Sequence, residues 1–284
     1  MISFLLEPFN YNYMVNALVV SCLVGSVCAF LSNYLMLKGW SLIGDALSHS
    51  IIPGVAISYI INLPFAFGAF LSGAVASALM MFIKKYSNLK EDAIIGLVFT
   101  TFFGFGLFII SIYPVSLSVE KIMLGDILTV SSEDKKQLLI ITVISLFFLL
   151  IKWKELLLVF FDEKYAIAIG INSFLLKFMF FMILSAACIS ALKTVGAFLV
   201  ICMLVTPGAS AYLLSDDFKK MIFISIFFGF LSCFLGTYLS FHLNGATGAI
   251  IILIQTVIFI FCFLCSPKYG FIRKKLMIRT KEHK

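Results

Sequence analysis

Nine apolar runs fall near residues 15–37, 40–62, 64–83, 93–113, 137–151, 173–192, 195–214, 221–241 and 247–266, separated by turn signals. Most approach the ~20 residues an α-helix needs to cross a bilayer. Hydrocarbon offers no partner to backbone N–H and C=O groups, so such runs close their hydrogen bonds internally, as helices. Composition agrees: hydrophobic residues make up 62% of the 284 positions and charged residues 12%, against about 45–50% and 25% in a soluble domain. The expected fold class is an all-α polytopic membrane protein with eight to nine transmembrane helices. The 137–151 run reaches Phe161 only by taking Lys152, Lys154 and Glu155 with it, and the 195–214 run contains Pro207-Gly208, so a break there is expected. No hydrophilic segment is long enough to fold separately, so residues 1–284 read as a single transmembrane domain. The first residues, MISFLLEPFNYNYMV, lack a basic stretch and carry Glu7, which argues against a cleavable signal peptide.

Basic residues orient the runs. With nine crossings and the N-terminus outside, 17 of the 21 Lys and Arg fall on one side, among them a basic tail at about 267–284. The other four, Lys121, Lys135, Lys136 and Lys193, fall on the opposite side. Excess Lys and Arg mark the cytoplasmic face, which puts the C-terminus in the cytoplasm. The formal charge of +7 is thus largely a property of that face, suited to anionic lipid rather than nucleic acid.

One cytoplasmic connection stands apart. It follows the 137–151 run and reads "FDEKYAIAIGINS" over residues 161–173. Asp162 and Glu163 suit a helix N-terminus, Ala166, Ile167 and Ile169 supply an apolar side, and Gly170 with Asn172 ends the segment. A short helix of this kind either lies on the membrane interface or docks a cytoplasmic partner.

Asp45 and His49, in "GDALSHSIIPG" at residues 44–54, are the sharpest anomaly. Asp45 sits well inside an apolar run, away from other charges, and the i, i+4 spacing puts both side chains on one helical face. Counting ~1.5 Å per residue from Lys38 puts them roughly 10 and 16 Å into the membrane. A charge in hydrocarbon costs at least a few kcal/mol, so such a pair faces protein or water. Pro53-Gly54, one turn on, loosens the helix, as in transporter helices that line a cavity. A carboxylate with an imidazole suits Mn²⁺, Fe²⁺ or Zn²⁺. Two ligands hold such an ion weakly, and a symmetric dimer would double them. The same pair also fits a purely structural hydrogen bond, or a proton relay.

Other features carry less. Cys262 and Cys265 form a CxxC inside the last run, with no second pair and no nearby His, and read as core- or lipid-facing thiols. His242 reads as an outer-loop residue, Glu91-Asp92 as charges at a helix start, and Cys202 and Met203 as packing. With no Walker motif, HExxH or Ser–His–Asp grouping, the chain is expected to be no enzyme itself.

Four blocks, "YLMLKGWSLIGDALSHSIIPGVAISY" (34–59), "LKEDAIIGLVFTTFFGFGLF" (89–108), "FFDEKYAIAIGIN" (160–172) and "LKTVGAFLVICMLVTPGASAYLLSDDF" (192–218), resemble in order the permease subunits of bacterial ABC importers for manganese, iron and zinc. The SHSIIPG wording is nearer the manganese/iron branch. The resemblance implies a multi-pass permease of the cytoplasmic (inner) membrane, working with a second identical or similar permease. Its other implied partners are two cytoplasmic ATPases and an extracytoplasmic metal-binding protein. It implies no permanently bound cofactor; the divalent metal is cargo and ATP belongs to the partner subunit. Asp45 and His49 match the family's metal-contacting pair. Residues 162–170, with Asp162, Glu163, Ala166 and Gly170, match its ATPase-coupling helix. Permeases of this kind also occur with eight crossings. A proton-coupled secondary metal transporter with Asp45 and His49 as the relay is the alternative; the docking helix argues against it, since a secondary carrier has no ATPase.

Overall fold

The computed structural model describes residues 7–40, 42–113 and 132–266. Lys121 and the basic tail at 267–284 lie outside the described residues. Among the described residues a short 3-10 helix (Glu7–Asn10) is followed by eleven α-helices: α1 (Asn12–Lys38), α2 (Ile43–Ser50), α3 (Ile52–Ile60), α4 (Phe65–Tyr86), α5 (Glu91–Ile112), α6 (Ser132–Phe161), α7 (Glu163–Ala168), α8 (Ser173–Val195), α9 (Ala197–Leu214), α10 (Phe218–Leu243) and α11 (Thr247–Cys265). Seven of them, α1, α4, α5, α8, α9, α10 and α11, are long and apolar enough to cross a membrane. Polarity is inverted relative to a soluble protein. Ser21, Asn33, Ser77 and Gln255 are buried, while Phe147, Phe223 and Phe261 are two-thirds exposed or more, the pattern of side chains that meet lipid.

Three apolar runs differ from their expected form. The 40–62 run is two short helices, α2 and α3, that meet at Ile51. The 137–151 run is the middle of a 30-residue helix, α6, that continues through Lys152, Lys154 and Glu155. Lys152 reaches Glu155 at 2.8 Å, which offsets part of the charge the helix carries. The 195–214 run stays helical across Pro207. There Ser32 accepts from the Gly208 N–H at 3.0 Å and donates to the Val205 carbonyl at 3.3 Å. The hydroxyl of Ser32 thus ties α1 to the backbone on both sides of Pro207.

Backbone contacts divide the chain into two units, residues 7–36 with 201–266, and 37–113 with 132–200. In the first, Gly25 and Gly229 bring α1 and α10 into backbone contact; a Cβ at Gly229 would lie 2.7 Å from that of Ala29. Small residues permit this approach. Hydrogen bonds then fix the register: Ser21 with Thr237 at 3.0 Å, and Asn33 to Ser225 at 2.6 Å. Gln255 of α11 donates to Ser232 of α10 at 3.2 Å and accepts from the Cys202 thiol at 2.9 Å. Cys262 is buried and Cys265 exposed. His242 lies in the last turn of α10 rather than in a loop, edge-on to Tyr238 at 5.0 Å.

In the second unit, α2 and α3 pack against α4 and α5, and α8 packs against α4 and α6. Ile51, Val55, Ala69, Ile189, Leu192 and Ala197 form an apolar core. Gly54 of α3 and Gly68 of α4 meet backbone to backbone, and a Cβ on Gly106 of α5 would lie 3.0 Å from the Pro53 nitrogen. The broken helix is therefore held on two sides by close contacts that larger residues would prevent.

Candidate functional site

Proline explains the break between α2 and α3. In a continuous helix the carbonyls of His49 and Ser50 would accept from residues 53 and 54, and Pro53 has no N–H. The His49 carbonyl instead takes the N–H of Ile51. The Ser50 carbonyl takes the hydroxyl of Ser72, reaching across from α4 at 2.6 Å. Pro53 is meanwhile well placed in the first turn of α3. Interrupted helices of this kind recur where transporters bind their cargo.

Asp45 and His49 lie on the last two turns before that break. His49 Nε2 is 3.3 Å from Asp45 Oδ1, and the side chains are 22% and 38% exposed respectively. The imidazole is edge-on to Phe99 at 5.1 Å and Phe103 at 5.3 Å, both on α5. Those rings restrict the imidazole while the carboxylate keeps more open surface. The pair offers one oxygen and one nitrogen donor to a cation. Among the described residues no group of three or more His, Cys, Asp or Glu is arranged to hold a metal. Phe99 and Phe103 were not anticipated as neighbours of the site; their i, i+4 spacing in "FTTFF" is the signal that puts them on one face.

The 161–173 segment is a helix, turn and cap. Asp162 caps α7, accepting from the Tyr165 N–H at 3.0 Å. Glu163 does something else. It accepts from Lys177 at 2.6 Å and from the Ser173 hydroxyl at 3.1 Å, tying α7 to the start of α8. Burial pushes its carboxyl up, but the hydrogen bond and charge of Lys177, the Ser173 bond and the charge of Lys38 outweigh this and hold it below its ordinary value. Gly170 turns the chain with φ +87°, while the N–H of Ile171 closes on the Ala166 carbonyl at 3.0 Å. Few residues other than glycine adopt that φ. Asn172 caps α8 rather than ending α7, accepting from Leu175 at 3.1 Å. The apolar side expected of Ala166, Ile167 and Ile169 divides. Ala166 is fully buried in its own chain, whereas Tyr165, Ile167 and Ile169 are all more than half exposed. Neighbouring helical residues point about 100° apart, so Ala166 and Ile167 do not share a face. Ala166 seats the helix; Tyr165 and Ile169 share one exposed side, and Ile167 is exposed on the other.

Glu91 begins α5 as expected but is also engaged by its neighbours. It accepts from the Trp40 indole N–H, and Lys84 lies 3.4 Å away. Trp40 stacks on Phe181 at 5.4 Å. Helices α4, α5 and α8 are thereby joined at one end of the second unit.

The model of the ABC 3 transport family matches residues 10–266. The chelated iron transport system membrane protein YfeC of Yersinia pestis is 51% identical over 281 residues, 99% of this chain and 96% of that protein. The manganese transport system membrane protein MntB of Synechocystis sp. is 43% identical, over 97% of this chain and 90% of that protein. The solved structure of PsaBC from Streptococcus pneumoniae in complex with Fab superimposes with a TM-score of 0.84 at 32% identity, covering 97% of this chain and all of that one. The chain belongs to the ABC 3 transport family.

Proposed function

We propose that this chain is the membrane subunit of a bacterial ABC importer for iron or manganese, and that Asp45 and His49 contact the ion as it passes. The observation that carries this reading is an acid–imidazole pair, 3.3 Å apart, at an interrupted helix in a chain of the ABC 3 transport family whose relatives serve iron and manganese. Two donors replace only part of a cation's water shell. A weak site suits transport, because the ion must leave as well as enter. A second copy of the chain, or a similar permease, brought up by two-fold symmetry would contribute a second Asp and His. ATP is hydrolysed by a separate chain.

In this reading residues 1–284 act as one permease in the cytoplasmic membrane. The seven long helices become nine crossings when both helix α6 and the α2–α3 pair span the membrane, and eight when only one of them does. Helix α7 faces the cytoplasm and docks an ATPase through Tyr165, Ile167 and Ile169. Asp162 and Gly170 set its two ends, Ala166 seats it, and Glu163 fixes its angle to α8. An extracytoplasmic metal-binding protein delivers the ion.

The test is uptake of radioactive Mn²⁺ and Fe²⁺, each in competition with Zn²⁺, by cells lacking the chain and by the same cells resupplied with it. Restored, ATP-dependent uptake of either metal supports the reading. Uptake that survives ATP depletion and follows the pH gradient overturns it in favour of proton coupling.

A further inference from the structure

A cavity of about 390 Å³ opens beside α7, between the last turn of α4, the first turns of α5 and α8, and Trp40. That volume falls within the range of small-ligand sites. Five charged side chains line it: Lys84, Lys85, Glu91, Glu163 and Lys177. Four of them are paired. Lys84 lies 3.4 Å from Glu91 and Lys177 lies 2.6 Å from Glu163. Lys85 has no carboxylate partner among the described residues; its ammonium lies 5.5 Å over the Tyr86 ring. The lining therefore carries one uncompensated positive charge.

A second hollow adjoins the cavity. Lys85 and Phe174 line both, and the second is otherwise lined by Val75, Ala78, Leu79, Phe82 and Tyr86 of α4. Val75, Phe82 and Phe174 are each more than half exposed. Helix α4 is one of the long apolar helices, and its last turn carries Lys84 and Lys85. Together the two hollows make a cationic mouth at the end of a spanning helix, beside an apolar groove along that helix. Basic pockets between helices at the cytoplasmic surface suit anionic lipid headgroups.

We propose that this cavity and groove hold one anionic phospholipid, its phosphate on Lys85 and an acyl chain along Val75, Ala78 and Phe82. The net positive lining favours a headgroup of net negative charge over a zwitterionic one, whose ammonium cancels the charge of its phosphate. The groove decides against a free anion, which would leave it empty. Glu163 and Ile167 of α7 line the same cavity, so the lipid fills the space beside the short helix and steadies its seat on α8. The inference needs the chain to sit in a bilayer; it does not depend on the metal or on ATPase docking.

The full chain, purified in a neutral detergent, is titrated with phosphatidylglycerol, phosphatidylcholine or inorganic phosphate and followed by native mass spectrometry and thermal unfolding. Phosphatidylglycerol should be retained at one molecule per chain and raise Tm, with phosphatidylcholine well behind. Lys85→Gln should weaken phosphatidylglycerol binding about five-fold, the factor for one lysine at an anionic surface. Ala78→Trp, which fills the groove at an exposed position, should reduce retention of the lipid. Lys154→Gln, outside the cavity, should leave both unchanged. Equal retention of phosphatidylcholine, an equal Tm rise with inorganic phosphate alone, or wild-type retention by Lys85→Gln would each overturn the proposal. Should Ala78→Trp fail to fold, Lys85→Gln and the phosphate arm decide it.

Discussion

Removing one oxygen from Ser72 should loosen the break in the helix that carries Asp45 and His49. The Ser72 hydroxyl donates to the Ser50 carbonyl at 2.6 Å, and both residues are buried. In Ser72→Ala that carbonyl loses its donor. A buried unsatisfied carbonyl costs about 1–3 kcal/mol. Hydrogen bonds inside membrane proteins average nearer 0.6 kcal/mol, because the unfolded chain in the membrane also finds partners. The expected loss is therefore about 1–2 kcal/mol. Ser48→Ala is the control, since the Ser48 hydroxyl donates to the Gly44 carbonyl within its own helix at 2.8 Å, where the helical N–H remains. Its loss should be close to zero. Unfolding in mixed micelles at rising SDS, read by the helical circular dichroism signal, gives both values. If Ser72→Ala is no less stable than Ser48→Ala, the cross-helix bond does not hold the break.

Two further substitutions separate seating from docking. Ala166→Asp buries a charge in the chain's own packing and should cost a few kcal/mol, seen as poor expression or a lowered Tm. Ile167→Asp, at an exposed position, should leave Tm near wild type while ATPase co-purification falls; unchanged co-purification would remove α7 as the docking helix. Because the Glu163 carboxyl is held below its ordinary value, its stabilising contribution is present above the ordinary carboxylate range and is lost as pH falls through the lowered value. The Tm gap between wild type and Glu163→Gln should therefore shrink on acidification. A gap that stays constant through that range would contradict the pairing with Lys177.

The apolar runs make the helical membrane architecture legible without coordinates, because length and hydrophobicity alone demand it. The i, i+4 spacing likewise brings Asp45 and His49 together, since helical geometry is local. What stays hidden is set by distant partners. Pro53 signals a loosened helix, but the clean split at Ile51 depends on Ser72 and Gly68 of another helix. The outward face of α7 is hard to read because a six-residue helix gives under two turns of periodicity, and burial of Ala166 depends on packing that no local pattern encodes. Glu163 looks like a dipole charge until Lys177, fourteen residues on, is seen to reach it.

In the proposed function Asp45 and His49 contact the transported ion. ATP-dependent uptake of radioactive manganese by Asp45→Asn, His49→Ala and the double variant Asp45→Leu/His49→Leu, at matched protein levels, tests that contact most directly. Each single change should abolish uptake while ATPase association persists, and the double change should add nothing, because either loss already breaks the same site. Uptake near wild type in the Asp45→Leu/His49→Leu variant would contradict that role and leave the pair a structural hydrogen bond.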